Sequence, residues 1–380
     1  RPIVEVLELS RLRILIVNTV QTGRNGVTNV IFNLCNAMNR KDIIFDYISV
    51  NEPDNIYTNA IHRFGGNVFV LNRNVRNPIG YLIKLRRIIL KGKYDIVHAH
   101  GNSATLALEM VAALSCGCRV RIAHGHSTSC HFTVIHRVLL PLFRACCTHR
   151  LACGEAAGKW LYGKRTFHVV KNGVDTSRFA FNSGKRAFIR EKFGIATDDL
   201  VIGNVGSFIS VKNQTFLVDI MRELTVYDKR CRLFLVGEGP LRGCIEEKVL
   251  KLNLEENVIF IGETDYPENF LSACDIVVMP SIYEGVPLSL IEAQANGLLC
   301  LVSDTVSSEV DKTGNLIFCS LSDGAEKWAN IIQKNVSHSN RFETSQSAIV
   351  KITQGGFDIR TNAAELRKYY FEIKNETYTG

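Results

Sequence analysis

The chain has 380 residues, 46% of them hydrophobic and 22% charged, with a formal net charge of +8. That balance excludes a disordered chain, and no run approaches the ~20 apolar residues of a membrane-spanning helix. The length exceeds one ordinary core and predicts two domains, about 1–175 and 176–357, with a tail from about 358.

The opening RPIVEVLELSRLRILIVNTV scatters its charges and has no cleavage-site pattern, which predicts no export signal. The 12 cysteines lie in apolar surroundings without zinc-finger spacing, so they are expected as reduced core thiols of a cytosolic protein. Short β-rich runs then alternate with helical stretches. The first half offers RILIVN (13–18), FDYISV (45–50), NVFVLN (67–72), DIVHAH (95–100), RVRIAHGH (119–126) and HRLAC (149–153). The second offers VIGNVG (201–206), RLFLVG (232–237), NVIFIG (257–262), DIVVMP (275–280), LCLVSD (299–304) and NLIFCS (315–320). Near-continuous Val/Ile/Leu strands separated by helices predict parallel sheets covered on both faces. Two such series predict an α/β protein of two Rossmann-like, doubly wound domains, with ligands held beyond the C-terminal strand ends in the cleft they face. The stretch 169–179 is turn-rich and marks the boundary, and 360–373 reads as a closing helix.

Charge is shared unevenly. Residues 1–150 hold 19 Lys+Arg against 8 Asp+Glu, whereas the remainder holds 26 against 29. YLIKLRRIILKGK (81–93) is a basic amphipathic helix, readable either as a helix lying on an anionic membrane surface or as an ordinary covering helix. No aromatic-interleaved basic patch points to nucleic acid. His98, His100, His124, His126 and His131 fall near two strand ends, but no Cys or carboxylate completes a metal pattern, and no metal or cofactor is expected.

Three loops carry candidate chemistry. After the first strand, Gly23 and Gly26 flank Arg24 and permit a close backbone approach. After the first strand of the second half, Gly206 and Ser207 lead to Lys212 and Asn213, a lysine placed to meet phosphate as a point charge. VGEGPLR (236–242), with Gly237, repeats the arrangement. In SIYEGVPLSLIEAQANG (281–297), Gly285, Val286, Pro287 and Leu288 form a helix N-terminus suited to an anion. Glu292, one turn deeper among apolar neighbours, must meet something, and nucleotide ribose hydroxyls fit an acceptor there. Glu284, at the lip, would meet the group beyond the phosphates.

Glu284 and Glu292 in YEGVPLSLIEAQANGL form an E-x₇-E motif, and the chain resembles the retaining glycosyltransferases of family 4, of the capsule and exopolysaccharide type. RIAHGHST (121–128), HRLACGEAAGKWLYG (149–163), VVKNGVDTSRF (169–179), GNVGSFISVKNQTFL (203–217) and LVGEGPLR (235–242) extend the likeness in order along the chain. The resemblance implies a GT-B fold with a C-terminal helix crossing back to the first domain, which binds the acceptor. It implies transfer of a hexose with retention and without metal, from a nucleotide sugar such as a UDP-sugar. The acceptor implied is a lipid-linked glycan at the inner face of the plasma membrane. Glu292 would bind the ribose, Glu284 and Gly285–Leu288 the sugar and phosphates, Lys212 the leaving diphosphate, and His126 the donor sugar. Gly262 and Glu263 would edge the base. The family's usual Arg after the loop glycine is here Ser207, so either another basic residue such as Arg24 serves, or the chain is a weakly catalytic or non-catalytic partner subunit. A nucleotide-sugar epimerase on the same two-domain fold is a further alternative.

Overall fold

The computed structural model describes residues 11–73, 77–130, 132–336 and 340–379. The chain forms two compact units, Arg1–Gly173 with Ile359–Gly380, and Val174–Asp358. Each is a parallel sheet between helical layers.

The first unit holds β1 (Leu12–Asn18), β2 (Ile43–Ser49), β3 (Val68–Val70), β4 (Ile96–Gly101), β5 (Val120–Gly125), β6 (His149–Ala152) and β7 (His168–Val169). Their order is β3-β2-β1-β4-β5-β6-β7, all parallel. β4 and β5 are buried along their whole length, as apolar runs covered on both faces should be. The helix Ile359–Thr379 belongs to this unit, where Tyr370 is 1% exposed and its hydroxyl lies 2.7 Å from His98 Nδ1. That union of tail and first unit is what a tail crossing back requires. β7 has no counterpart among the expected strands: it is two residues long and sits in a stretch that reads as turn.

The basic helix spans Pro78–Gly92 and buries Tyr81, Leu85 and Ile89 against the sheet. Its outer face keeps Lys84, Arg86, Arg87 and Lys91 exposed, together with Ile79, Ile83 and Leu90. It is thus a covering helix whose free side still carries apolar and basic residues. Among the described residues no helix is long and apolar enough to cross a membrane.

The second unit holds β8 (Val201–Val205), β9 (Arg232–Val236), β10 (Val258–Gly262), β11 (Ile276–Met279), β12 (Leu299–Ser303) and β13 (Leu316–Cys319), ordered β10-β9-β8-β11-β12-β13. Two apolar clusters cover its faces, one around Phe234, Val277 and Leu290, the other around Leu233, Val278 and Trp328. Asp275 opens β11 by accepting from the Val201 N–H at 2.8 Å, and Arg186 and Arg190 each meet it at 2.7 Å. All 12 cysteines are free, and burial pushes the Cys274 thiol up to about 12.

The strand-end loops of this sheet press together through glycines. Gly237 has φ +142°, and a Cβ there would fall 2.2 Å from the Gly206 carbonyl oxygen. Its N–H donates to the Gly262 carbonyl at 2.9 Å. Strain and clash act together, so Gly237→Ala should cost about 2–4 kcal/mol, read as a lower urea midpoint with an unchanged m-value.

Candidate functional site

In a doubly wound sheet the crossovers leave opposite edges, and the loops part where strand order reverses. In the second unit that point lies between β8 and β11. The loop after β8 closes with a 3₁₀ turn, Ser210–Lys212, and Asn213 at φ 55° turns the chain into the helix Gln214–Tyr227. Lys212 therefore stands on its own turn, two residues before the helix. The loop after β11 is sewn to it: the Ile282 N–H donates to the Val211 carbonyl at 2.8 Å, and Asn213 Nδ2 to the Pro280 carbonyl at 3.1 Å.

This stitching brings Lys212 Nζ within 2.5 Å of Glu284 Oε1. The side chains are 21% and 16% exposed, so the pair faces the crevice rather than the core. Ser281 Oγ donates to the same Glu284 oxygen at 3.3 Å, and the Ser307 N–H donates to the Glu284 carbonyl at 3.3 Å. Sequence reading gave the two residues separate tasks; the fold makes them partners.

Gly285 to Leu288 lead into the helix Leu288–Ala295. Pro287 is its N-cap rather than its first helical residue, and no side chain caps the end. Its first N–H groups are orphans, and with the helix dipole they suit an anion. A Cβ on Gly285 would meet nothing within 4 Å, so the chain's own packing does not demand glycine there. Glu292 lies in that helix, between buried Ile291 and Ala293. Among the described residues its carboxylate has no hydrogen-bonding partner. Burial pushes its pKa up to about 7, with Arg178 opposing the rise and Glu268 adding to it. Arg178 itself is taken by Glu268 at 2.9 Å. Glu292 is thus an acceptor held ready for donors from outside the protein.

The neighbouring loops complete this edge. The Phe208 N–H donates to the Glu238 carbonyl at 2.9 Å, joining the loops after β8 and β9. Gly262, at φ +78°, lies beside the Glu238 carboxylate, which pairs with Arg242. Ser207 and Glu263 are exposed, and the Ser207 carbonyl accepts from Gln214 Nε2 at 3.1 Å. The surface joins a cation, an orphan helix end and an unpartnered carboxylate. It suits a ligand that carries both anionic and hydroxyl groups.

In the first unit the order reverses between β1 and β4. Gly23, Arg24 and Gly26 occupy the loop after β1, and the helix begins at Gly26, capped by Asn25 accepting from the Thr28 N–H. A Cβ on either glycine would meet nothing within 4 Å, and neither has a positive φ. A buried polar network that sequence reading missed holds this loop. Asn18 Nδ2 donates to Tyr47 Oη at 2.8 Å, Ser49 Oγ to Thr22 Oγ1 at 2.8 Å, and the Thr22 N–H to Asn51 Oδ1 at 2.7 Å. The signal was a run of polar residues at buried strand ends.

His98 and His100 on β4 and His124 on β5 lie on one face, with His126 just beyond β5; His131 lies outside the described residues. Their rings stand close, His98–His100 at 4.1 Å and His124–His126 at 4.3 Å between centroids. His126 Nε2 lies 2.9 Å from His100 Nδ1. Burial drives His98, His100 and His124 well below the usual histidine range and His126 down to about 4, so all four are neutral at pH 7. Among the described residues, His98, His100 and His124 are the group that could hold a metal, with ligand nitrogens within 4.8 Å of one another. That is loose, because two nitrogens bound to one zinc at ~2.1 Å sit at most about 4.2 Å apart.

The chain matches two family models: Glycosyltransferase Family 4 over residues 24–178 and Glycosyl transferases group 1 over residues 185–333. It is 33% identical over 364 residues to EpsF of Bacillus subtilis (strain 168), a protein named as a glycosyltransferase, covering 92% of this chain and 94% of that one. The chain belongs to the group 1 glycosyltransferases. It is also 31% identical, over 239 residues, to the Escherichia coli UDP-Gal:alpha-D-GlcNAc-diphosphoundecaprenol alpha-1,3-galactosyltransferase, covering 59% of this chain and 61% of that one. Among solved structures it is similar in fold to Anabaena HepE in complex with UDP, with a TM-score of 0.77 at 18% identity over 95% of this chain and all of that one.

The unpartnered Glu292 predicts a pH signature. Burial lifts its folded pKa to about 7, above the ordinary carboxyl value of 4.5, so its protonated form favours the fold. That contribution is complete below the unfolded value and is lost as pH rises through the folded one. Glu292→Gln should therefore raise stability at pH 8 by on the order of 2 kcal/mol and change it little at pH 4.5, as read by urea titration at both pH values.

Proposed function

We propose that the protein is a retaining, metal-independent hexosyltransferase that moves a sugar from a UDP-sugar to a hydroxyl of a lipid-linked oligosaccharide in capsule or exopolysaccharide synthesis. The observation that carries this reading is Glu292. A half-buried carboxylate without a partner among the described residues, set one turn below an uncapped helix N-terminus, fits a nucleoside diphosphate. The ribose hydroxyls donate to Glu292, the Gly285–Leu288 N–H groups receive the diphosphate, and the base rests near Gly262 and Glu263. Asn213 and Gly237 hold the loops around it. The Escherichia coli relative's name supports a diphosphate-linked acceptor, and the UDP complex of HepE supports the nucleotide.

In the transfer, the bond from the sugar's anomeric carbon to the diphosphate breaks and a bond to the acceptor oxygen forms. The acceptor's hydroxyl proton passes to the departing β-phosphate oxygen, and UDP leaves. Charge grows on the diphosphate, and Lys212 is the cation that stabilises it. Glu284 then exchanges its lysine for a sugar hydroxyl. Ser207 supports a second reading, a non-catalytic partner. It supplies no second cation where the family places one.

UDP should raise the melting temperature equally with and without EDTA; a shift that EDTA abolishes would overturn the metal-free site. Glu292→Ala should weaken UDP binding at least tenfold, whereas Lys212→Ala should lower kcat about 10²–10³-fold with a smaller effect on UDP affinity. Wild-type turnover in both variants would remove these residues from the site.

The exposed Lys84, Arg86, Arg87 and Lys91 of the helix Pro78–Gly92 support placement on the anionic inner face of the plasma membrane. Changing all four to Gln should lower binding to phosphatidylglycerol vesicles at least tenfold at 0.1 M salt. Unchanged sedimentation with vesicles would leave the helix as a cover and nothing more.

A further inference from the structure

β4 and β5 are built mainly from Ile, Val and Ala, yet they place His98, His100 and His124 on one face. The register sets His100 opposite His124, and His98 lies two residues back along β4. The three residues are 0%, 2% and 0% exposed. Hydrophobic packing does not explain that choice. Among the described residues, His98 Nε2, His100 Nε2 and both ring nitrogens of His124 are buried with no hydrogen-bonding partner. Leu or Phe would fill the same space and orphan no polar atom.

The ring nitrogens that do have partners show what the orphans are for. His98 Nδ1 lies 2.7 Å from Tyr370 Oη, and His100 Nδ1 lies 2.9 Å from His126 Nε2. With a proton on each Nδ1, Tyr370 and His126 accept it, and each Nε2 keeps a free lone pair. A histidine that holds a metal is arranged in this way. One nitrogen donates to an outer group that fixes the ring, and the other binds the ion. Burial also keeps the three rings neutral at pH 7, the form that binds. One nitrogen from each ring lies within 4.8 Å of the others. A shared ion needs these gaps to close to about 4.2 Å or less, which small rotations about the soft terminal torsion of each histidine supply.

Charge selects the ion. Among the described residues only other histidines act electrostatically on these three rings, so no carboxylate balances a cation there. The cost of burying an ion grows with the square of its charge. In this neutral shell a divalent ion therefore costs about four times as much as a monovalent one. Imidazole suits copper, and copper(I) carries a single charge. We propose that His98, His100 and His124 form a copper(I) site, braced by Tyr370 of the closing helix and by His126. The site lies outside the transfer reaction, and neither reading depends on the other.

The test is an oxygen-free titration of the whole chain with copper(I) at pH 7, in competition with bicinchoninate and with accessible thiols blocked by N-ethylmaleimide. One copper(I) should bind, the melting temperature should rise, and X-ray absorption should show nitrogen and no sulfur around the metal. His124→Leu should weaken that binding by roughly 100-fold or more and lose the melting shift. Without metal the same variant should keep its far-ultraviolet dichroism and an equal or higher urea midpoint, because it removes two orphaned nitrogens. Tyr370→Phe keeps the ring but not the hydroxyl, and should weaken copper(I) by about 10–100-fold. Zinc should bind roughly tenfold more weakly than copper(I), or worse still. Sulfur around the copper, equal copper(I) binding by His124→Leu, or zinc held as tightly as copper(I) would each overturn the proposal.

Discussion

The donor site proposed for this chain depends on one topological constraint: a parallel sheet wound outward from its middle must part its loops where strand order reverses. At β8 and β11 the parted loops are tied back together by the Ile282–Val211 and Asn213–Pro280 hydrogen bonds. That tie sets Lys212 against Glu284 and leaves the helix end after Pro287 uncapped. At β1 and β4 the same reversal opens a cavity instead. There the polar groups at the strand ends are satisfied from beneath, by Asn18, Thr22, Tyr47 and Ser49.

The two reversal points differ in what they leave unsatisfied. In the second unit the unsatisfied group is an anion, the Glu292 carboxylate, beside orphan N–H donors. In the first unit, among the described residues, the buried groups without partners include ring nitrogens of the histidine cluster, His98 Nε2, His100 Nε2 and both nitrogens of His124. The first suits hydroxyls and a diphosphate approached through backbone N–H groups, the second a neutral hydrogen-bonding partner or a cation of low charge. Neither arrangement adds to stability by itself. A raised carboxyl pKa is a folding cost, and so is a buried ring nitrogen left without a partner. Groups that weaken the fold while facing a crevice are the ones whose presence asks for a ligand.

Much of the fold was legible, because parallel strands buried on both faces write themselves as unbroken Val, Ile and Leu runs. β7 escaped because two residues carry no periodicity. Lys212, Glu284, Gly285 and Glu292 were legible as residues, since glycine turns and a carboxylate inside an apolar helix break local rules. Their pairing was not, because Lys212 and Glu284 are joined by backbone hydrogen bonds that leave no trace in composition. Arg73 and Glu109, an ion pair at 2.8 Å, lie 36 residues apart, and neither breaks a local rule. Tyr81 was read as part of an amphipathic stripe, and only packing shows that its hydroxyl donates to Glu109. The histidines were legible as a cluster, and the fold adds that burial keeps them uncharged.

The contact between Lys212 and Glu284 has a consequence for selectivity. A bare lysine in an open crevice would attract every small anion in solution, inorganic phosphate first among them. Here the cation already has a carboxylate, so a simple anion must displace Glu284 and leave it without a counter-charge. Only a molecule that brings a negative group for the lysine and hydrogen-bond donors for the released carboxylate recovers that loss. On the proposed donor site, the resting pair would thus favour a phosphorylated sugar over phosphate alone.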